Sequence, residues 1–177
     1  PPPAELLQPT MPRRLLPRPV AQWLDEEEGR CRPSWERAMA AQEFVREHYR
    51  YEERFRERPE VQERITRLHT GEGNHHLEIL HASGDDGCLG RGVCHALNLL
   101  VVELLRHLRV PAFAASGWLL DEGSVDRPDH LFALALLPGI GGEALVPLDA
   151  SGGERGPRAP LGPRTTAAPA PVERDAW

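Results

Sequence analysis

The strongest hydrophobic pattern in this chain of 177 residues lies between positions 96 and 108. Apolar residues recur there at intervals of three and four, and further apolar residues fall on the opposite side. A helix that is apolar nearly all round is a buried helix. Cys94 stands directly before the run, and Gly90 and Gly92 precede the cysteine. The pattern therefore predicts a buried central helix with a cysteine in its first turn.

Three strand-like segments follow this helix, at 112–120, 130–137 and 144–149. A helix followed by strands that pair with their neighbours predicts an α+β fold, with the central helix packed on an antiparallel sheet. Pro147 cannot donate a hydrogen bond to a sheet ladder, so the third strand is predicted at an edge of the sheet.

Helical patterns also precede the central helix. Residues 34–58 place their apolar side chains roughly on one helix face, and Pro59 is expected to end this helix. A second short helix is predicted over 59–68. His75 and His76 follow a glycine-rich turn, and we expect them at the start of a strand near the surface.

Proline is concentrated at the two ends of the chain, which contains 18 prolines in all. Because proline fixes φ and removes a donor, residues 1–21 are predicted to form an extended arm or linker. Residues 152–177 are predicted to form a flexible tail, which leaves 22–151 as the folded domain. The chain opens on Pro1 rather than Met, as a fragment or a processed product would.

Composition narrows the classes of partner. The formal charge of −6 and the pI near 5.8 give no support for nucleic-acid binding or for a polybasic membrane patch. No apolar run reaches the roughly 18 residues of a membrane span. Three cysteines are too few, and odd in number, for a disulfide framework, which favours a reducing, cytoplasmic location. The sequence indicates no cofactor.

The last two predicted strands bring two polar residues together. If Leu137 pairs with Gly142 across a four-residue turn, His130 lies directly opposite Asp149. The Cβ atoms of such a pair are about 4.5–5.5 Å apart, which lets an imidazole reach a carboxylate. A slip of one residue would place the two side chains on opposite faces of the sheet.

Cys94, His130 and Asp149 then have the residue types of a nucleophile, a base and an orienting acid. A helix N-terminus lowers the pKa of a thiol, and its free N–H groups can stabilise an oxyanion. Asp129 is a rival orienting acid, but adjacent residues on a strand point to opposite faces. Gly92 belongs to a glycine-rich loop that lets a substrate backbone approach the cysteine.

The segment before His130 offers two further candidates for substrate contact. Asp129 ends an acidic loop that is expected to border the substrate entrance. Trp118 is expected either in the core or on the wall of the cleft, because its strand is apolar.

The ordered set of these motifs resembles the transglutaminase-like superfamily, over about residues 90–151. The resemblance is carried by Gly92-Val93-Cys94-x-Ala96, the apolar helix, the segment RVPAF, Gly117-Trp118, His130-x-Phe132 and Pro147-Leu148-Asp149. It implies a papain-like core in which Cys94 begins the central helix and His130 and Asp149 lie on adjacent strands. By the same resemblance Cys94 is the nucleophile, His130 the general base and acid, and Asp149 the orienting residue.

Three positions depart from the family pattern. Phe132 stands where a tryptophan is usual, Phe113 where an arginine is common, and His95 where an acidic or polar residue is commoner. None of these positions is a catalytic group, so the departures bear on the substrate and on the detailed activity.

The expected function is cysteine-dependent acyl transfer on the amides of a peptide or protein substrate. Hydrolysis is slightly favoured over transfer to an amine, because neither a calcium-ligand cluster nor an accessory domain is visible. One alternative is a catalytically inactive binding module within a larger protein. Another is a zinc-binding module that uses the histidines and cysteines between His75 and His95, although the spacing of Cys88 and Cys94 matches no familiar zinc site. The oligomeric state is left open.

Overall fold

A computed structural model describes residues 2–68, 74–85, 87–117, 130–139 and 141–151. The helices are α1 (Arg18–Gly29), α2 (Ser34–His48), α3 (Pro59–Thr66), α4 (His75–Ala82) and α5 (Cys94–His107). The strands are β1 (Tyr49–Tyr51), β2 (Gly90–Gly92), β3 (Ala112–Gly117), β4 (His130–Gly139) and β5 (Gly142–Leu148). The fold is therefore α+β, as predicted. None of the helices in these ranges is long and apolar enough to cross a membrane.

Helix α5 is the centre of the hydrophobic core, which confirms the prediction from its apolar pattern. Its buried residues fall on all sides, and Leu97, Leu100 and Leu104 are fully enclosed. Helix α2 packs on α5, and the strands β3 and β4 also pack on it. A helix enclosed in this way holds its first residue, Cys94, in a fixed place relative to the sheet.

The larger sheet has the antiparallel order β3-β4-β5, with β5 at an edge of the described sheet, as Pro147 predicts. Its register differs from the predicted one by two residues, because Gly139 rather than Leu137 pairs with Gly142. Gly141 and Gly142 have φ values of 92° and 141°, and these glycines permit a tighter turn than the predicted four-residue turn. A shift of two residues leaves every side chain on its predicted face.

A second, parallel sheet corrects the helix predicted over 34–58. Helix α2 ends at His48, and β1 pairs with β2, with Tyr49 opposite Gly90. Tyr49 is fully buried, and burying its ring in the core stabilises the protein more than a further turn of a surface helix would. The short helix predicted from Pro59 is present as α3, although it ends at Thr66.

The strand predicted at His75 and His76 is also wrong, because these residues begin helix α4. The side chain of Asn74 accepts a hydrogen bond of 3.0 Å from the backbone N–H of His76 and caps the helix. Leu77 and Leu80 are three residues apart and both fully buried, which is the spacing of one helix face.

The Pro-rich segment predicted as an arm over 1–21 packs against the body of the protein over its described part. It contains two short 3-10 turns and the start of α1. Met11, Leu16 and Val20 are buried in the main core. Proline content indicates an extended backbone but not its exposure, and these three apolar side chains attach the segment to the core.

Gly90 gives a prediction about stability. A Cβ atom there would lie against the carbonyl oxygen of Leu80 and the ring of Tyr49, both in the rigid core. We expect Gly90→Ala to lower the free energy of unfolding by about 1–3 kcal/mol in chemical denaturation, as overpacking does. Gly29→Ala is the control, since nothing lies within 4 Å of its added Cβ and alanine favours the helix. Equal stabilities of the two variants would contradict the prediction.

Candidate active site

His130 and Asp149 are in direct contact. The Nε2 atom of His130 lies 2.8 Å from the Oδ2 atom of Asp149. His130 is the first residue of β4, and Asp149 directly follows β5. Continuing the ladder register would place Asp149 opposite Phe132, two residues from His130 and on the same face. The direct opposition predicted from the sequence is therefore wrong, but the predicted contact is present as a diagonal one.

The carboxylate of Asp149 has different partners on its two oxygens. Oδ1 accepts hydrogen bonds from Asn98 Nδ2 at 2.9 Å, from Ser151 N at 2.8 Å and from Ser151 Oγ at 2.6 Å. Oδ2 faces the imidazole. Partial burial opposes the charge of Asp149, but the hydrogen bonds from Ser151 and Asn98 outweigh it and hold the carboxyl pKa below its usual value. Asp149 is therefore an ionised and firmly held acceptor.

An ionised Asp149 determines the tautomer of His130. Because the carboxylate only accepts, the proton of a neutral imidazole lies on Nε2, and Nδ1 carries the lone pair. Nδ1 is therefore the only nitrogen of a neutral His130 that can take up a proton. The imidazole also lies near-parallel to the ring of Phe132, with the ring centroids 6.5 Å apart.

Cys94 is the first residue of α5, as predicted, and its thiol is free and half-buried. Val93 has an extended backbone and precedes the helix, so the N–H groups of the first turn have no helical partners. Asn98, one turn further along, contacts Asp149. Helix α5 therefore both begins at Cys94 and contacts Asp149, the carboxylate that faces His130. Within the described residues no hydrogen bond joins the Cys94 sulfur to the His130 ring.

Tyr51 lies close to this group of residues and was not predicted. Burial raises the pKa of its hydroxyl, and the charge of Glu53, which accepts a hydrogen bond of 3.2 Å from that hydroxyl, raises it further. Its neighbour in the parallel sheet is Gly92, two residues before Cys94. The residue is 47% exposed. A three-residue strand within a charged segment gives no pattern that sequence reasoning could detect.

Three polar residues that hold Asp149 were also missed by sequence reasoning: Asn98, Ser151 and Gln42. The Oε1 atom of Gln42 accepts a hydrogen bond of 3.0 Å from the backbone N–H of Asp149. Asn98 had a detectable signal, because it is a polar residue within an apolar helix, four positions after the predicted nucleophile. Gln42 and Ser151 had none.

The predicted substrate-contacting residues have different outcomes. Gly92 is buried, and a Cβ there would lie 3.0 Å from Ala96 and from Leu80, so packing between α4 and α5 accounts for this glycine. Its contact with a substrate stays a prediction. Trp118 and Asp129 lie outside the described residues.

A buried arginine holds the segment that leads to Cys94. The side chain of Arg91 is 7% exposed and pairs with Glu52 at 3.2 Å and with Asp85. The hydrogen bond from Arg91, followed by one from the backbone of Gly87, lowers the pKa of Asp85 to about 2. This network connects the loop before β2 to the segment after β1, so β2 and the start of α5 are held from two sides.

The candidate zinc ligands do not form a cluster in the described part of the chain. The rings of His76 and His95 are 4.4 Å apart between centroids. Among the described residues there is no group of three or more His, Cys, Asp or Glu side chains that could hold a metal ion. The two histidines are therefore a pair of neighbouring rings on α4 and α5.

Comparisons of this chain with protein-family models, with curated proteins and with solved structures found no match. The resemblance to the transglutaminase-like superfamily therefore depends on the ordered motifs of residues 90–151. The arrangement of His130, Asp149 and the helix that begins at Cys94 is the structural observation that bears on function.

Proposed function

We propose that this protein is a cysteine enzyme with a transglutaminase-like, papain-like core that transfers the acyl group of peptide or protein amides. The observation that carries the proposal is the 2.8 Å contact between His130 Nε2 and Asp149 Oδ2, beside a helix that begins with a free thiol at Cys94. These are the groups that acyl transfer through a thioester requires.

In the proposed reaction His130 Nδ1 takes the proton of the Cys94 thiol, and the thiolate attacks the amide carbonyl carbon. Backbone N–H groups of the first turn of α5 stabilise the oxyanion that forms. The C–N bond then breaks, and the imidazolium gives its proton to the departing amine. Water or a second amine attacks the thioester and loses a proton to His130. The thiol is regenerated, and a carboxylic acid or a new amide is released.

Asp149 contributes by holding the proton on Nε2 and by stabilising the imidazolium. Its low pKa keeps the carboxylate charged at neutral pH.

A competition experiment identifies whether water or an amine attacks the thioester. The products are made with and without added hydroxylamine and are analysed by mass spectrometry, which distinguishes hydrolysis from transfer to the amine. We expect hydrolysis to dominate.

The three free cysteines of the chain provide an internal test of the nucleophile. We expect iodoacetamide at neutral pH to modify Cys94 at least about tenfold faster than Cys31, because in the proposed reaction His130 takes the proton of the Cys94 thiol. Cys31 is exposed and is the matched reference. Peptide mass spectrometry over time measures both rates in one molecule, and Cys94→Ala removes the fast reaction. A Cys94 rate no greater than that of Cys31 would sink the proposal.

A binding module of the same fold is the second candidate. It is favoured by the lack of a hydrogen bond between Cys94 and His130 within the described residues, and by Phe113 and Phe132 at positions where the family differs. A thiol titration of Cys94 separates the two candidates. A pKa near the unperturbed value of about 8.5 indicates the module, and a strongly lowered pKa indicates the enzyme.

A further inference from the structure

We infer that Asn98 is the positioning residue that holds the His130–Asp149 pair in place relative to the helix of Cys94. The inference rests on the proposed function, because it concerns the same site. Asn98 is fully buried on α5, where most of the neighbouring buried positions are apolar. Burying an amide is costly unless its polar atoms are paired, so its partners indicate why it is there.

The amide of Asn98 is paired on both its nitrogen and its oxygen. Its Nδ2 atom donates to the backbone oxygen of Leu131 at 2.7 Å and to Asp149 Oδ1 at 2.9 Å. Its Oδ1 atom accepts from the backbone N–H of Ala150 at 2.7 Å. Because Ala150 N only donates and Leu131 O only accepts, these partners determine which way the amide points.

These bonds join three separate segments of the site. Leu131 is next to His130 on β4, Ala150 is next to Asp149 after β5, and Asn98 is one turn from Cys94 on α5. One buried side chain thus sets the distance of both strand ends from the nucleophile helix. None of these contacts involves a reacting atom, so Asn98 acts through its neighbours.

The direction of the Asp149 carboxylate follows from the same contacts. The two oxygens of a carboxylate are rigidly related, so donors that hold Oδ1 also fix where Oδ2 points. Asn98 and Ser151 hold Oδ1, and Oδ2 faces the imidazole. Losing the Asn98 donor would leave Ser151 as the remaining donor to Oδ1 and remove the bond that ties this oxygen to α5, so we expect the carboxylate to turn away from the plane of the ring.

The test uses the full chain and observes His130 directly by nitrogen-15 NMR of its imidazole. In the wild type we expect one tautomer, protonated at Nε2. In Asn98→Ala we expect a mixture of tautomers. We also expect the Nε2 proton to exchange with solvent on the order of tenfold faster or more, because a misplaced Asp149 carboxylate no longer holds its hydrogen bond with Nε2. Gln42→Leu is the control, because Gln42 binds the backbone N–H of Asp149 and not its carboxylate.

A folded Asn98→Ala protein with the wild-type tautomer and exchange rate would overturn the inference, as would an equal change in Gln42→Leu. If Asn98→Ala does not fold, Asn98→Leu is measured instead, since it fills the site with an apolar side chain of similar shape and removes the donor to Asp149, and the same outcomes apply. The spectra require no reaction at Cys94. Slow alkylation of Cys94 in the wild type would therefore count against the proposed function alone.

Discussion

Asp149→Asn is expected to slow the acylation of Cys94 by p-nitrophenyl acetate on the order of 10²–10⁴-fold, the range that proton transfer by a positioned base contributes. The carboxylate now accepts from His130 Nε2 at 2.8 Å. An amide nitrogen in its place would donate to Nε2, so the ring proton would move to Nδ1. The atom that must take the thiol proton would then already be protonated.

The release of p-nitrophenolate from the full chain measures this rate, and mass spectrometry locates the acetyl group on Cys94. Asp25→Asn is the matched control, because Asp25 is a surface carboxylate paired with Arg13. An Asp149→Asn protein that acylates at the wild-type rate would show that the pair has no part in the reaction.

Glu103→Ala is expected to lower the free energy of unfolding by about 3 kcal/mol or more, since buried donors lose a charged acceptor. Glu103 is 2% exposed on α5 and accepts from Met11 N at 2.7 Å, from Thr10 N at 3.0 Å and from Thr10 Oγ at 2.9 Å. His107 lies 3.6 Å from the same carboxylate. Urea denaturation measures the loss, and Glu26→Gln, on the exposed face of α1, should change stability by less than about 0.5 kcal/mol.

The same carboxylate makes the wild-type protein sensitive to acid. Burial opposes the charge on Glu103, but the nearby imidazole of His107 and the hydrogen bonds from Thr10 and Met11 outweigh it and lower its pKa. A lowered folded pKa stabilises the protein above the unfolded glutamate value of about 4.3, and this contribution is lost as the pH falls through the folded value. The stability difference between Glu103→Ala and the wild type should therefore be largest at neutral pH and become smaller in acid. A constant difference at all pH values would contradict this.

The elements that could be predicted from the sequence are those whose pattern is strong within one segment. Helix α5 is apolar on all sides, and β4 and β5 are short apolar runs on either side of a glycine-rich turn. The contact of His130 with Asp149 followed from the two-residue period of strands, which a register error of two residues does not alter. The exact register depends on the conformations of Gly141 and Gly142, which the sequence does not reveal.

The elements that were missed depend on partners distant in the sequence. Strand β1 exists because Tyr49 pairs with Gly90 about forty positions away in a parallel sheet, and its own residues continue a helical pattern. The short segment of α4 contains too few apolar residues to distinguish a helix from a strand. Ser151 and Gln42 are ordinary polar residues, and only the folded chain shows that they hold Asp149.

The buried side chains of the first twenty residues have a practical consequence for anyone who trims this protein. Cutting at position 22, where the proline-rich composition ends, would remove Met11, Leu16 and Val20 from the core. The shortened polypeptide would expose the apolar core residues that these three side chains cover, and exposed apolar surface of this kind causes purified proteins to aggregate. A shortened protein intended for crystallisation or assay should therefore retain its N-terminal segment, although the proline-rich sequence of that segment resembles a linker.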